Sequence, residues 1–272
     1  MTKQVALITG ASSGIGFATA VALKKAGYTV YGAARRLEKL EALRKYDINI
    51  VSLDVTDDTS MEQCIKTIFD AEGRIDVLVN NAGYGSFGAV EDVPMTEARR
   101  QIEVNLFGLA RMTQLVLPVM RGQKTGKIVN ISSMGGKIWT PFGAWYHATK
   151  FAVEGFSDSL RLEVKPFGID VILIEPGGIA TDWGEIAAEH LIESSSEGAY
   201  KTLALSGAAS LRKMYTGNQL TSPDVIANCI RKAVQKKKPK TRYLIGYMAK
   251  PSVLMKNLLG DKLYDKIIMK MF

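Results

Sequence analysis

Six short runs of apolar, largely β-branched residues, VALIT, TVYGAA, INIVSL, VLVNN, KIVNIS and DVILIE, recur along the first two thirds of the chain, with amphipathic stretches between them. Runs that are apolar throughout suit strands buried on both faces, which require a sheet covered by helices on each side. The spacers fit such helices: GFATAVALKKAG and TSMEQCIKTIFDAEG carry apolar residues at helical spacing and stop at Gly27 and Gly73. Repeated alternation of this kind predicts an α/β fold with a doubly wound parallel sheet, to which TRYLIG adds a seventh strand. Ligands of such sheets sit beyond the carboxyl ends of the strands, so chemistry is sought just after each run.

The 272 residues carry no linker, repeat or low-complexity tract, and the eight prolines and 25 glycines are scattered, so residues 1–272 are read as one domain. The net charge of +8 gathers late, at Lys236, Lys237, Lys238, Lys240, Arg242 and the tail lysines, without the basic face and interleaved aromatics of a nucleic-acid binder. Cys64 and Cys229 are isolated in helical patterns, offer neither a disulfide framework nor metal spacing, and suit a reducing cytoplasm. VALITG leads straight into a glycine motif instead of an export signal, and no apolar run reaches membrane-spanning length. A cytoplasmic protein, neither exported by that route nor integral, is expected.

Directly after the first strand comes TGASSGIG, with glycines at 10, 14 and 16. Glycine allows a sharp turn and close approach of backbone to ligand, and the following helix presents N-terminal amides to a pyrophosphate. The alternative is a merely tight strand-to-helix turn. The spacing T-G-x-x-x-G-x-G resembles the short-chain dehydrogenase/reductase family, and more of its marks follow in order: NNAG at 80–83, VN at 104–105, SS at 132–133, YHATK at 146–150 and PGGIAT at 176–181. The resemblance implies a Rossmann sheet and a nicotinamide cofactor. It places that cofactor on Gly10, Ser12, Ser13, Gly14, Ile15 and Gly16, on Asn81, Ala82 and Gly83, and on Pro176, Gly177, Ile179 and Thr181.

Cofactor choice is read at the end of the second strand, where a carboxylate would hold a ribose and repel a 2′-phosphate. Ala34 stands there, followed by Arg35 and Arg36, whose planar cations grip phosphate, so NADP(H) is expected over NAD(H). Two arginines opening a solvated helix is the competing explanation. Asp54 and Val55 resemble the family's adenine contacts, although Asp54 could instead help to cap a helix starting near Thr56.

Tyr146 and Lys150 are four apart on one side of a helix, and Ser133 precedes the tyrosine by thirteen residues at the end of the fifth strand. Reduction of a carbonyl makes an alkoxide that needs a proton, and a phenol is a poor base in reverse unless a cation lowers its pKa. Tyr146 is the expected acid/base, Lys150 its tuner and cofactor contact, and Ser133 the donor that holds the substrate oxygen, with Ser132 as the alternative. The resemblance adds Asn105, holding a water between the lysine and solvent and sharing in cofactor binding; otherwise it is a polar residue in the apolar VNLFGLA, costly unless satisfied. His147 and His190 read as structural, and no metal site is expected.

Residues 182–222 break the sheet pattern and read as a helical lid with a flexible SSSEG. Met134, Trp139, Phe142, Trp145 and Trp183 suggest an apolar substrate pocket, though core packing would also use such residues. SPDVIANCIRKAV predicts a helix capped by Ser222 with Pro223 in its first turn. The later chain resembles the 17β-hydroxysteroid dehydrogenase-like branch, implying steroids, retinoids or other lipophilic carbonyls or alcohols. Residues 251–272 alternate leucine and isoleucine with lysine in an amphipathic basic helix that could pack on its own domain, on a twin subunit, or weakly on an anionic membrane. A homodimer or homotetramer is expected. A catalytically inactive NADP(H)-sensing regulator of the same fold is the alternative function.

Overall fold

The computed structural model describes residues 3–216 and 219–271. β1 (Val5–Thr9), β2 (Thr29–Ala34), β3 (Asn49–Ser52), β4 (Val77–Asn80), β5 (Gly126–Ile131), β6 (Ile169–Pro176) and β7 (Arg242–Ile245) form one sheet in the order β3-β2-β1-β4-β5-β6-β7, with every neighbouring pair parallel. Each apolar run and TRYLIG is thus a strand, with ends displaced by a residue or so. The winding reverses between β1 and β4, and the loops leaving these two strands diverge to open a crevice at their carboxyl ends.

Alternation along each strand divides the core in two. Ala6 and Ile8 pack with Leu23 of α1 (Gly14–Lys25), Leu43 of α2 (Glu41–Arg44) and Ile226 and Ile230 of α9, whereas Val5 and Leu7 pack with Ile65 and Ile68 of α3, Met112 and Val116 of α5 and Leu160 of α6. These later helices span Asp58–Glu72 (α3), Met95–Ile102 (α4), Gly108–Gln123 (α5), Ala144–Val164 (α6), Trp183–Ser195 (α7), Lys201–Tyr215 (α8) and Pro223–Gln235 (α9). Each fully buried Leu or Ile contributes about 1.5–3 kcal/mol, which is what holds a sheet covered on both faces. Gly27 and Gly73 end their helices at positive φ, 93° and 66°, as their positions in the spacers imply.

Two local details differ from the sequence reading. α3 is capped by Asp57, whose carboxylate accepts from Thr59 N at 2.9 Å and Ser60 N at 3.2 Å. Asp54 does not cap it. Its Oδ1 accepts from Thr56 N at 3.0 Å and Thr56 Oγ1 at 2.7 Å, closing an Asx turn that leaves β3. The SSSEG segment is fastened, not loose: Ser195 is fully buried and accepts from Ala89 N at 2.9 Å, and Ser194 Oγ donates to Phe87 O at 3.2 Å.

The last helix, α10 (Ala249–Met269), bends at Gly260, where φ is 66°. Tyr264 and Ile268 pack against Ile138 beside Met134 and Trp139, so one face of the tail lies on its own chain. Leu254, Leu258 and Leu263 point outward. Among the described residues no helix is long and apolar enough to cross a membrane.

Candidate active site

The glycine loop forms the floor of the crevice. Gly10 takes a φ of 65°, and a Cβ at Gly16 would run into the Gly10 carbonyl, so the turn and the close packing of α1 beneath it both need glycine. Asn81 fastens this loop from β4: its Nδ2 donates to Thr9 O at 2.9 Å and Gly10 O at 3.1 Å, while Asn81 N and Ala82 N both donate to Thr9 Oγ1 at 3.0 Å. The NNAG and TG stretches are therefore one unit, built across two neighbouring strands.

A cavity of about 1140 Å³ runs from this loop along the strand ends. Its walls include Gly10, Ser12, Ser13, Gly14, Ile15, Arg35, Arg36, Asp54, Val55, Asn81, Ala82, Gly83, Pro176, Gly177, Ile179 and Thr181, followed by Ser133, Met134, Tyr146, Lys150 and Trp183. Arg35 and Arg36 are exposed at its rim. Among the described residues no ion pair engages either one, leaving both guanidiniums available to an anion. Narrow glycine turns, backbone amides at the start of α1 and two available cations suit a phosphorylated dinucleotide.

Ser133 stands close enough to Tyr146 to favour its charged form, and Ser133 Oγ accepts from Gly135 N at 3.0 Å. Lys150 Nζ donates to Ile131 O at 2.9 Å and stands 5.9 Å from the Tyr146 ring centroid. The expected trio thus meets at one wall. Ser132 also lines the cavity, and its Oγ is buried with no partner beside Gly136. Burial pushes the Tyr146 phenol up to about 12, partly countered by Ser133, and pulls Lys150 down to about 8 against the opposing charge of Glu154. Burial thus holds the phenol protonated in the chain alone. The cause is overhead: the Trp183 ring lies 5.2 Å from Tyr146, 5.6 Å from Phe87 and 5.5 Å from Tyr215, and this aromatic cover dries the phenol.

Asn105 stands behind the wall and does not line the cavity. It is nearly fully buried in a π-helical turn spanning 103–107, where Oδ1 accepts from Tyr84 N at 3.0 Å and Nδ2 donates to Tyr84 O at 2.8 Å and Thr149 Oγ1 at 3.2 Å. It clamps the loop after β4 to α6, which satisfies the polar cost noted from sequence.

The structure does not bring Trp139 or Trp145 into the cavity. Trp139 Nε1 donates to Asp265 Oδ1 at 2.9 Å, and its ring meets Tyr264 edge-on at 5.3 Å with Lys256 above it, so it serves the tail. Trp145, one helix position before Tyr146, faces another side. Met134 and Trp183 do line it.

Several lining residues carried no local signal in the sequence: Tyr84, Phe87, Ile186, Leu211 and Tyr215 arrive from the β4 loop and the two lid helices. His147, read as structural, is a brace. Its Nδ1 pairs with Gly135 O at 2.9 Å and its Nε2 accepts from Thr140 N at 3.0 Å, which holds the 134–140 loop over the cavity. Burial keeps it neutral by lowering its pKa. Among the described residues no group of His, Cys, Asp or Glu could hold a metal.

Comparison with known proteins identifies the family. A sequence model described as short chain dehydrogenase matches residues 4–191. The 3-ketodihydrosphingosine reductase of Bacteroides thetaiotaomicron is 45% identical over 181 residues, 66% of each chain. A crystal structure of a short-chain dehydrogenase from Streptomyces avermitilis superposes with a TM-score of 0.81 at 36% identity, covering 95% of this chain and 93% of that one. A metagenomic short-chain oxidoreductase in complex with NADP superposes at 0.71 with 28% identity, covering 89% and 96%. With its glycine-floored crevice, parallel seven-stranded sheet and near full-length relatives, the chain belongs to the short-chain dehydrogenase family and is a dehydrogenase/reductase.

Proposed function

We propose that the protein is an NADP(H)-dependent oxidoreductase that interconverts a carbonyl and an alcohol on a lipophilic substrate, with Tyr146 as acid/base. The observation that carries this reading is the meeting of Ser133, Tyr146 and Lys150 on the inner wall of a cavity whose other end is the glycine loop. The nicotinamide, when bound, supplies or accepts the hydride. Ser133 donates to the substrate oxygen, Tyr146 delivers the proton that the new alkoxide requires, and Lys150 keeps a positive charge beside both. A phenol held protonated by burial is ready for the reducing direction.

The lipophilic class is supported by the walls around Tyr146. Phe87, Met134, Ile138, Trp183, Leu211 and Tyr215 surround it, so a substrate carbonyl meets few polar groups beyond Ser133 and the phenol. The relative from Bacteroides thetaiotaomicron is named as a reductase of 3-ketodihydrosphingosine, which fits the same class.

NADP(H) preference rests on Arg35 and Arg36. Arg35→Asp is expected to reduce the preference for NADPH over NADH about tenfold to a hundredfold, by removing a charge-assisted grip and adding repulsion. Comparing kcat/KM for the two cofactors checks this. Equal losses for both would mean that Arg35 only supports the turn, and Arg36 is then the residue to change.

Residues 1–272 act as one domain with a lid over 182–222, in a cytoplasmic setting consistent with two unpaired cysteines. Phe107, Phe151 and Leu162 are exposed on α6 and the turn beside it, a surface suited to a second copy of the chain. The outward leucines of α10, with Lys250, Lys262 and Lys266, suit weak contact with an anionic lipid surface. Sedimentation with and without anionic vesicles tests both: a monomer that ignores the vesicles would refute them.

A further inference from the structure

Behind the wall that carries Lys150 lies a second cluster of charge. Glu154 is one helical turn after Lys150 on α6, and Glu175 is the next-to-last residue of β6, just before Pro176; both are nearly fully buried. They share two cations. Glu154 Oε2 accepts from Lys137 Nζ at 2.8 Å and Arg242 Nε at 3.0 Å, while Glu175 Oε1 lies 3.6 Å from Lys137 Nζ and 3.2 Å from Arg242 Nε. Arg242 is further drawn off by Asp158, at 2.5 Å, which itself pairs with Arg161. One carboxylate oxygen on each glutamate, Oε1, is buried with no hydrogen-bond partner.

Glu154 Oε1 has no donor in a dry interior, and Glu175 Oε1 is approached only by the two cations it shares with Glu154, so two full negative charges side by side are costly here. A single proton between the carboxyls removes one of the two charges and supplies the donor that Glu154 Oε1 lacks. We propose that Glu154 and Glu175 share one proton, and that the charge state of this pair governs how firmly Lys150 keeps its ammonium. The proposal rests on the hydride-transfer reading for its effect on rate.

The cluster joins the parts of the site. Lys137 comes from the loop over the substrate cavity, Glu154 from the helix of Tyr146 and Lys150, Glu175 from the strand leading into Pro176 and Gly177, and Arg242 from β7. The charged groups facing the pair are Lys137, Lys150, Asp158 with its partner Arg161, and Arg242. Burial, and next the Glu154 charge, push Glu175 up to about 7. The negative charge of Glu154 opposes the lowering of Lys150 by burial. Loss of the shared proton adds a second negative charge to the cluster behind Lys150, beside the Glu154 charge that already acts on it, which raises the pH at which that ammonium is lost.

The linkage has a definite sign. Because Glu175 is raised from 4.5 to about 7, the folded chain holds an extra proton between these values. The stability this supplies is complete at lower pH and is lost as pH rises through about 7. Glu175→Gln keeps a hydrogen-bonding side chain and cannot titrate.

Infrared difference spectra of the cofactor-free protein give a readout independent of turnover. The wild type should show the carbonyl stretch of a protonated buried carboxyl that disappears as pH passes about 7. The band should be absent from Glu175→Gln and should titrate at lower pH in a Glu154→Asn variant, where the neighbouring charge is gone. In kcat/KM profiles Glu175→Gln should lose one near-neutral ionisation, and its alkaline limb should move down by roughly one pH unit. No band, or a band unchanged in Glu175→Gln, overturns the pairing, and a Glu175→Gln profile that superposes on the wild type overturns its influence on Lys150. If Glu175→Gln does not fold, the wild-type band and its displacement in Glu154→Asn decide. A wild type inert towards every carbonyl would refute hydride transfer, while the infrared comparison would still decide the pair.

Discussion

Replacing Tyr146 by phenylalanine is expected to lower kcat by roughly a hundredfold to ten-thousandfold while leaving NADPH affinity nearly intact. The ring keeps its neighbours, Trp183 at 5.2 Å and Phe87 at 5.8 Å, so the wall and the aromatic cover persist. Only the hydroxyl is lost, and with it the proton that the alkoxide needs. Cofactor-fluorescence titration and steady-state rates on one accepted ketone separate these outcomes. Wild-type turnover by the variant would exclude Tyr146 as the acid. Loss of binding and rate together would point to collapse of the wall, the pattern expected of Lys150→Ala.

The second large effect concerns substrate size. Across otherwise similar ketones kcat/KM should rise about fourfold for each added methylene, following about 0.8 kcal/mol of burial, until the cavity is full. Polar sugars and small hydroxy acids should be poor. Trp183→Ala should flatten the dependence, because this indole is the apolar roof between Phe87, Tyr146 and Tyr215. Trp139→Ala should leave the dependence alone and lower Tm, since that ring packs on Tyr264 beneath the tail. Efficient turnover of a charged sugar with no response to chain length would refute the lipophilic class and leave the reductase chemistry standing.

What could be read from sequence divides along physical lines. Strands buried on both faces are nearly all apolar, so VALIT or the VILI of DVILIE announces itself locally, and their alternation with helices implies the sheet. Ser133, Tyr146 and Lys150, singled out by a strand end, an i, i+4 spacing and the family resemblance, do share one wall of the cavity. Contacts between distant elements left no such trace. Trp139 and Trp183 look alike in sequence, yet one goes to the tail and the other to the cavity, because only the folded chain decides which helix covers each. The raised phenol of Tyr146 depends on a lid about 40 residues downstream. Likewise Glu154 and Glu175 meet only through the adjacency of α6 and β6, and His147 becomes a brace only where the 134–140 loop folds back over it.

The most direct test of hydride transfer follows the hydrogen itself. Wild-type protein is incubated with NADPH carrying deuterium on the transferable face of the nicotinamide and the best ketone of the hydrophobic series, and the product is analysed by mass spectrometry. One deuterium on the new carbinol carbon, matched by equimolar NADP+ and nearly absent with Tyr146→Phe, is the predicted result. Tight NADPH binding with no labelled alcohol from any ketone in the series would contradict it, and would describe a nucleotide-sensing protein on the same fold.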